Sequence, residues 1–195
     1  PLPEAECALS EGTCILCKTT GISDASRHSL HCWGARSDYL RHDALKRTFM
    51  DIALASGRSG MLEYEFPNRG SETFRMDGVI PAASSTGGTL AYDVTVPDPL
   101  TPSWLSTAAQ GPGKVARKAA RTKHVNYDEA TRRMDWEFLA PVVEMGGRMG
   151  DDALKFLSLC AERAGAEGCA QDDGNPFQRY WRTRISVAHQ AAIGQ

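Results

Sequence analysis

The sequence lacks the long apolar run that a membrane-spanning helix requires. No stretch approaches the roughly 18 consecutive apolar residues of such a helix, although 42% of the 195 residues are hydrophobic. The N-terminus has neither the basic start nor the apolar stretch of a secretory signal, and it does not begin with Met, so we expect a fragment of a longer polypeptide. The composition is typical of a globular protein rather than a fibrous or disordered one, and we expect no membrane partner.

The sequence also lacks an excess of either charge. It contains 22 Lys and Arg against 24 Asp and Glu, for a net charge of -2. Because the overall field is weak, it does not by itself predict a nucleic-acid-binding protein, and any such role must depend on local clusters. Six cysteines without a secretory signal do not indicate a disulfide framework, and their spacing near the N-terminus favours a metal site instead.

The spacing of apolar residues predicts an α/β fold. Apolar residues recur at helical spacing in three segments, and a further helix is expected from about residue 108, or from 113, to residue 133. These three segments are residues 37–54, 151–164 and 177–193. Alternation of apolar and polar residues predicts strands at 61–66, 73–80, 90–96 and 136–144, the last one edge-like because of Pro141. This order predicts a mixed sheet flanked by helices within residues 37–195.

Two aspartates are predicted to face each other across a β-hairpin. If the second and third predicted strands pair antiparallel with their apolar side chains on one face, Asp77 lies directly opposite Asp93. Their Cβ atoms would be about 4.5–5.5 Å apart, and like charges this close require a cation or a raised pKa. Carboxylates on adjacent strands are typical ligands of Mg²⁺ or Mn²⁺, with Glu65, or Glu63 on the same predicted strand, as a candidate third ligand. The alternative, two ordinary solvent-facing residues, is disfavoured because Asp is depleted in strands.

The segment 113–123 carries five positive charges and no negative charge. On a projection of about 100° per residue, four of them form a stripe suited to phosphates. These four are Lys114, Arg117, Lys118 and Arg121. The fifth, Lys123, falls among small residues and Tyr127 on the face towards the sheet, where a buried ammonium requires an anionic partner. The alternative is that Lys123 extends to solvent, and because the projection assumes an unbroken helix, Lys118 stays an alternative for the inward lysine.

The N-terminal residues 1–36 contain a compact set of soft ligands. Cys14, Cys17, His28 and Cys32 are suited to tetrahedral zinc. His31 is an alternative nitrogen ligand, and Cys7 is a spare thiol. The competing interpretation is a segment with incidental thiols.

The order of these motifs resembles the C-terminal region of site-specific non-LTR (LINE) retrotransposon proteins. In that family a Cys-Cys-His-Cys zinc knuckle precedes a restriction-enzyme-like endonuclease domain of the PD-(D/E)xK type. The residues that carry the resemblance are the Cys/His set, then Arg41-His42-Asp43, Arg75-Met-Asp77, Ala91-Tyr-Asp93-Val-Thr-Val96 and the basic helix ending Lys123–Tyr127. One departure is Thr95, which stands where many restriction enzymes place the catalytic lysine.

The resemblance implies a magnesium- or manganese-dependent DNA endonuclease. Asp77 and Asp93 match the metal-binding acidic pair, and Lys123 resembles the lysine that several members supply from the helix. Arg41, His42 and Asp43 match the family's Arg-His-Asp/Asn signature, and we expect Arg41 and His42 to help position nucleic acid.

The resemblance also implies the setting in which such an enzyme acts. The nicked target DNA would prime reverse transcription in the nucleus, with the element RNA and the reverse transcriptase domain of the same polypeptide as partners. The alternative function is a catalytically inactive nucleic-acid-binding or scaffold domain of a larger reverse transcriptase polypeptide.

Overall fold

The computed structural model describes residues 9–10, 12–32, 34, 36–67, 73–165 and 175–191. This part of the chain contains six strands and six helices in the order β1 (Leu9–Ser10), β2 (Thr13–Cys14), α1 (Ala25–His31), α2 (Ser37–Ala55), β3 (Met61–Pro67), β4 (Thr73–Ile80), β5 (Thr89–Tyr92), α3 (Pro102–Ala108), α4 (Lys114–Arg133), β6 (Trp136–Leu139), α5 (Asp151–Arg163) and α6 (Pro176–Ala191).

The central sheet has the strand order β3-β4-β5-β6. The first three strands pair antiparallel, while β5 and β6 pair parallel. Because parallel neighbours need a long crossover, the chain passes through α3 and α4 between these two strands. The predicted mixed sheet flanked by helices, with a Cys/His cluster near the N-terminus, is therefore confirmed.

Helices cover both faces of the sheet. Ile80 and its partner Leu90 pack with α2, α5 and α6, whereas their neighbours Val79 and Ala91 pack against α4. Successive strand residues point to opposite faces, so α4 forms one layer and the other three helices form the second. Two alanines of α4, at 116 and 119, pack on Val142 and allow the helix to lie close to the sheet.

Two predicted strands are shorter than expected. The strand predicted at 90–96 ends at Tyr92, and the one predicted at 136–144 ends at Leu139. The backbone N–H groups of Asp93 and Thr95 instead donate to the carbonyls of Leu139 and Pro141, at 3.3 and 3.1 Å. After Tyr92 the chain therefore stops pairing with β4 and forms hydrogen bonds with the segment that follows β6. Because Pro141 has no N–H, this pairing does not continue as a regular ladder.

The side-chain alternation along β4 changes at Asp77. The apolar side chains of β4 do not all lie on one face as predicted, because Phe74 and Met76 pack in the same cluster as Val79 while Ile80 packs on the other side of the sheet. Opposite Asp77, Glu63 of β3 has a positive φ of 54°. This conformation is strained for a residue with a Cβ, and it marks the point where the strand redirects its side chains.

The remaining predictions of secondary structure agree with the structure within a few residues. The helix expected from residue 108 or 113 begins at Lys114, which is the second alternative. The residues before it form the separate helix α3, which the apolar spacing did not indicate. The carboxylate of Glu144 accepts a hydrogen bond from the backbone N–H of Ala116 at 2.9 Å. An anion at the N-terminus of a helix is favourable, so Glu144 fixes the start of α4.

Candidate functional site

Three thiols and one imidazole converge near the N-terminus. The ligand atoms of Cys14, Cys17, His28 and Cys32 all lie within 4.8 Å of one another. The Sγ atoms of Cys14 and Cys32 are 3.7 Å apart, and Cys17 Sγ is 3.3 Å from His28 Nε2. The three thiols are buried, so the set could hold one zinc ion in tetrahedral coordination.

Local backbone structure brings these four residues together. The hairpin of β1 and β2 presents Cys14, and a tight turn follows in which Lys18 N donates to Cys14 O at 2.9 Å with Lys18 at a φ of 62°. Helix α1 then carries His28. Asp24 caps this helix by accepting from Arg27 N at 2.9 Å, and Cys32 follows the last helical residue.

His31 lies in a different environment from His28. Its Nε2 is 2.8 Å from Asp98 Oδ2, and its Nδ1 is 3.2 Å from Asp38 Oδ1. Arg27 donates to Leu100 O at 2.5 Å. These contacts connect the Cys/His module to the segment after β5, so His28 rather than His31 belongs to the ligand cluster. Cys7 lies outside the described residues.

Asp77 and Asp93 are both buried at the end of the β4–β5 ladder, with 8% and 7% of their surface exposed. The predicted pairing of Ile80 with Leu90 is present, but the ladder stops at Gly78 and Tyr92, one position before the aspartates. The backbone N–H of Val94 instead donates to Asp77 Oδ2 at 2.7 Å. The end of the ladder leaves both carboxylates next to the point where the two strands diverge.

Each aspartate has a basic partner from a helix. His42 Nε2 of α2 is 3.0 Å from Asp77 Oδ2, and the Lys123 ammonium of α4 forms an ion pair with Asp93 Oδ2. These contacts involve Oδ2 of each aspartate. Carboxylate oxygens in this arrangement are suited to a hard cation.

Burial and neighbouring charges shift the pKa values of Asp93, His42 and Lys123. Burial raises the pKa of Asp93, and the negative charge of Asp77 adds to this effect while Lys123 opposes it. The hydrogen bond to Asp77 raises the pKa of His42 despite burial of the ring. Burial also disfavours the Lys123 ammonium, but the Asp93 carboxylate outweighs it and raises the pKa of Lys123. A divalent cation at this position would lower the cost of two charged carboxylates.

Arg41 does not form the expected nucleic-acid contact. Its side chain is fully buried, and its guanidinium contacts Leu30 O and Asp38. The guanidinium therefore connects α1 to α2 and is not accessible to a phosphate. His42, expected in the same role, contacts Asp77 instead. Asp43 forms ion pairs with Lys46 and Arg47, both at 2.7 Å.

Lys46 is a buried cation that the sequence interpretation missed. Only 4% of it is exposed, and its Nζ lies 2.7 Å from Asp43 Oδ1 and 2.6 Å from Glu63 Oε1. Its carbonyl accepts a hydrogen bond from the Tyr92 hydroxyl at 3.1 Å. The available signal was its position beside Leu45, close to the apolar face of the predicted helix.

Glu65 lies away from the acidic pair. It is exposed on β3 opposite Arg75. Across the described residues, the Cys/His cluster is the one group of three or more potential ligands close enough to share an ion. The structure therefore brings Asp77 and Asp93 together without Glu65.

The basic stripe of α4 is exposed as expected. Lys114, Arg117, Lys118 and Arg121 all face solvent. Lys118 is directed to α3, where its Nζ donates to Thr107 Oγ1 at 3.2 Å and lies 5.4 Å from the centre of the Trp104 ring. Lys123 is therefore the inward lysine.

Tyr127 supports this lysine from one turn further along α4. The Lys123 Nζ lies 5.8 Å from the centre of the Tyr127 ring. That ring packs between Phe74 and Phe138, with both centroids at 5.3 Å. These contacts fix the tyrosine beside the acidic pair.

Comparison with known proteins gives no matching family model and no similar curated protein. In the described part of the chain, no helix has the length and apolar character needed to cross a bilayer. The function must therefore be argued from the residues of the site.

Proposed function

We propose that this chain is a metal-dependent DNA endonuclease of the PD-(D/E)xK type from the C-terminal region of a non-LTR retrotransposon protein. The observation that carries this proposal is the convergence of Asp77, Asp93 and Lys123 from three different elements. Two buried carboxylates beside an ammonium match the groups needed for phosphodiester hydrolysis.

The residues of the site would divide the chemistry among them. Asp77 and Asp93 would hold Mg²⁺ or Mn²⁺, which when bound stabilises negative charge on the scissile phosphate. Lys123 would orient the attacking water and neutralise charge that develops on the phosphate. His42 would act as a positioning residue, because its Nε2 contacts Asp77 Oδ2 at 3.0 Å and so orients that carboxylate. The α4 stripe would contact the phosphate backbone without reading sequence.

The order of the motifs supports the retrotransposon setting of this activity. A Cys/His cluster suited to zinc precedes the α/β domain, and Arg27 and His31 connect the two. In this proposal the nicked target DNA primes reverse transcription of the element RNA in the nucleus, and the reverse transcriptase domain of the same polypeptide is a partner.

A catalytically inactive binding or scaffold domain is the second candidate. It is favoured by the ion pair between Lys123 and Asp93, which compensates the carboxylate without a metal. Thr95, at the position where many restriction enzymes carry lysine, also fits a domain that has lost activity.

A nicking assay on supercoiled plasmid distinguishes the two candidates. With Mg²⁺ or Mn²⁺, we expect the native chain to produce open circles and Asp77→Asn and Asp93→Asn to abolish nicking while DNA binding persists. Glu65→Gln is the matched control, since this carboxylate is exposed away from the pair, and it should nick normally. If the native chain nicks at neither metal but binds DNA, the inactive domain is the correct interpretation.

A further inference from the structure

A second basic surface lies on α6, on the opposite side of the sheet from α4. This helix carries three arginines and no acidic residue over Pro176–Ala191. Arg179, Arg182 and Arg184 are all exposed. Their guanidinium groups have neither an ion pair nor a hydrogen bond within the part of the chain that the structure describes. Because the whole chain has a net charge of -2, this unpaired positive charge is a local feature.

Packing of α6 determines which of its residues face outwards. Ile185 is fully buried, and Phe177 and Trp181 pack against the core shared with α2 and α5. Gln178 Nε2 also donates to Ser158 Oγ of α5 at 3.3 Å. With its apolar residues committed to the core, α6 presents a shallow concave surface lined by Pro176, Arg179, Tyr180, Thr183 and Arg184.

Tyr180 gives this surface an exposed aromatic ring. It is 57% exposed, and its ring packs edge-on against Trp181 with centroids 5.2 Å apart and an interplanar angle of 83°. Trp181 is itself held against the core, so the tyrosine ring is supported from below. Arg179 and Arg184 line the same concavity and place positive charge beside the ring.

We propose that this α6 surface binds single-stranded nucleic acid. Arginines that neutralise phosphates beside an exposed aromatic ring form the combination on which unpaired bases stack. A duplex offers phosphates but keeps its bases stacked inside, so Tyr180 would add nothing to duplex binding. The inference does not depend on nuclease activity. Single-stranded RNA and single-stranded DNA share this chemistry, and the test separates them.

The test measures binding of short fluorescent strands by anisotropy over a range of salt concentrations. The full chain carries Asp77→Asn so that no strand is cut, and the ligands are single-stranded RNA, single-stranded DNA and a duplex of equal length. The α6 variant combines Arg179→Gln, Arg182→Gln and Arg184→Gln. The matched control combines Lys114→Gln, Arg117→Gln and Arg121→Gln on α4. All six residues are exposed, and thermal unfolding checks that each variant is folded.

We expect the α6 variant to weaken single-strand binding and the α4 variant to weaken duplex binding. Loss of the phosphate contacts of Arg179 and Arg184, which line the concave surface, should reduce the slope of log affinity against log salt by at least about one for a single strand. Tyr180→Ala should weaken single-strand binding about tenfold while Tyr180→Phe retains it, because stacking needs the ring and not the hydroxyl. Tyr180→Ala alone suffices if the triple variant does not fold.

Two results would overturn the proposal. One is unchanged single-strand affinity in the α6 variants. The other is that the three arginines are needed for binding to anionic lipid vesicles but are not needed for binding to single strands. The RNA and DNA arms decide which strand is preferred. Absence of nicking by the native chain would leave this binding intact, so failure of the endonuclease proposal is separable from failure of this one.

Discussion

The Lys123 ammonium of α4 forms an ion pair with the carboxylate of Asp93, which directly follows β5. The contact depends on the rotational position of α4, because the other basic residues of its first three turns face solvent. Glu144 fixes that position by binding the backbone N–H of Ala116. A lysine on a helix thus reaches one member of the acidic pair.

The first prediction concerns this lysine. In the proposed endonuclease, Lys123→Met should reduce the nicking rate about 10²–10³-fold, the usual loss when one preorganised group that stabilises transition-state charge is removed. DNA affinity should change little, because Lys123 is not part of the exposed stripe. The rate of plasmid nicking and the affinity for a duplex, measured on the same preparation, check both statements.

Lys118→Met is the matched control for this prediction. Lys118 contacts Thr107 and Trp104 of α3 rather than an aspartate, so its loss should weaken duplex binding slightly and leave the nicking rate of bound DNA unchanged. If both variants lose nicking equally, the effect of Lys123→Met results from the loss of one positive charge on α4 and not from the loss of its contact with Asp93.

Zinc binding is expected to stabilise the α/β domain as well as the N-terminal module. The purified chain should contain about one zinc per molecule, and Cys14→Ser with Cys17→Ser should release it. Because His31 and Arg27 contact the segment at Asp98 and Leu100, the double variant should also lower the melting temperature of the α/β domain.

Metal analysis and thermal unfolding test this expectation against Cys160→Ser. Cys160 is a buried thiol of α5 outside the ligand cluster, so its substitution should lower the melting temperature without loss of zinc. A double variant that retains zinc, or that melts as the native chain does, would contradict the coupling.

Local periodicity was sufficient to predict most of the elements and the inward direction of Lys123. The helical projection needs only the spacing of small residues, and the α4 helix is unbroken from Lys114 to Arg133. The pairing of Ile80 with Leu90 also followed from sequence, although the apolar side chains of β4 lie on both faces of the sheet.

Contacts between distant elements could not be predicted in the same way. The end of β5 at Tyr92 depends on whether Asp93 pairs with β4 or with the chain after β6, and both partners are remote in sequence. Arg41 was expected to help position nucleic acid because it matches the Arg-His-Asp/Asn signature of the family that the sequence resembles. Its burial results from the Leu30 carbonyl of α1, a partner that no helical pattern identifies.

Gly78 should not tolerate a side chain. A Cβ at this position would collide with the ring of Tyr92 on the adjacent strand. That ring is buried, its hydroxyl donates to Lys46 O, and it packs against Phe49 and Phe156. Because the ring has no free space to move into, Gly78→Ala should lower the free energy of unfolding by about 1–3 kcal/mol.

Urea unfolding of Gly78→Ala beside Gly146→Ala measures this cost. A Cβ at Gly146 meets no atom within 4 Å, so this control should unfold close to the native chain. Similar stabilities for the two variants would mean that Tyr92 has more freedom than its contacts indicate.

The last prediction concerns a histidine clamped between two carboxylates. His124 Nδ1 is 2.7 Å from Asp128 Oδ1, and Nε2 is 2.7 Å from Asp152 Oδ2, which joins α4 to α5. Both ring nitrogens must donate to make these contacts, and only the imidazolium has two N–H groups. Although burial disfavours that charge, the two hydrogen bonds raise the pKa of His124 above 6.5.

The raised pKa fixes the sign of the pH dependence. The native state binds the proton more tightly than the unfolded chain, so the stabilisation is fully present below pH 6.5 and is lost as the pH rises through the native pKa. His124→Gln removes the titrating group. The difference in unfolding free energy between the native chain and this variant should therefore be largest between about pH 4 and the ordinary histidine pKa, and should shrink at higher pH. Because His42 also has a raised pKa, the difference between the two proteins, rather than the native chain alone, isolates His124. Urea unfolding at a series of pH values measures this difference. If the difference stays constant or grows with pH, the stabilisation from the two carboxylate contacts of His124 does not depend on the imidazolium.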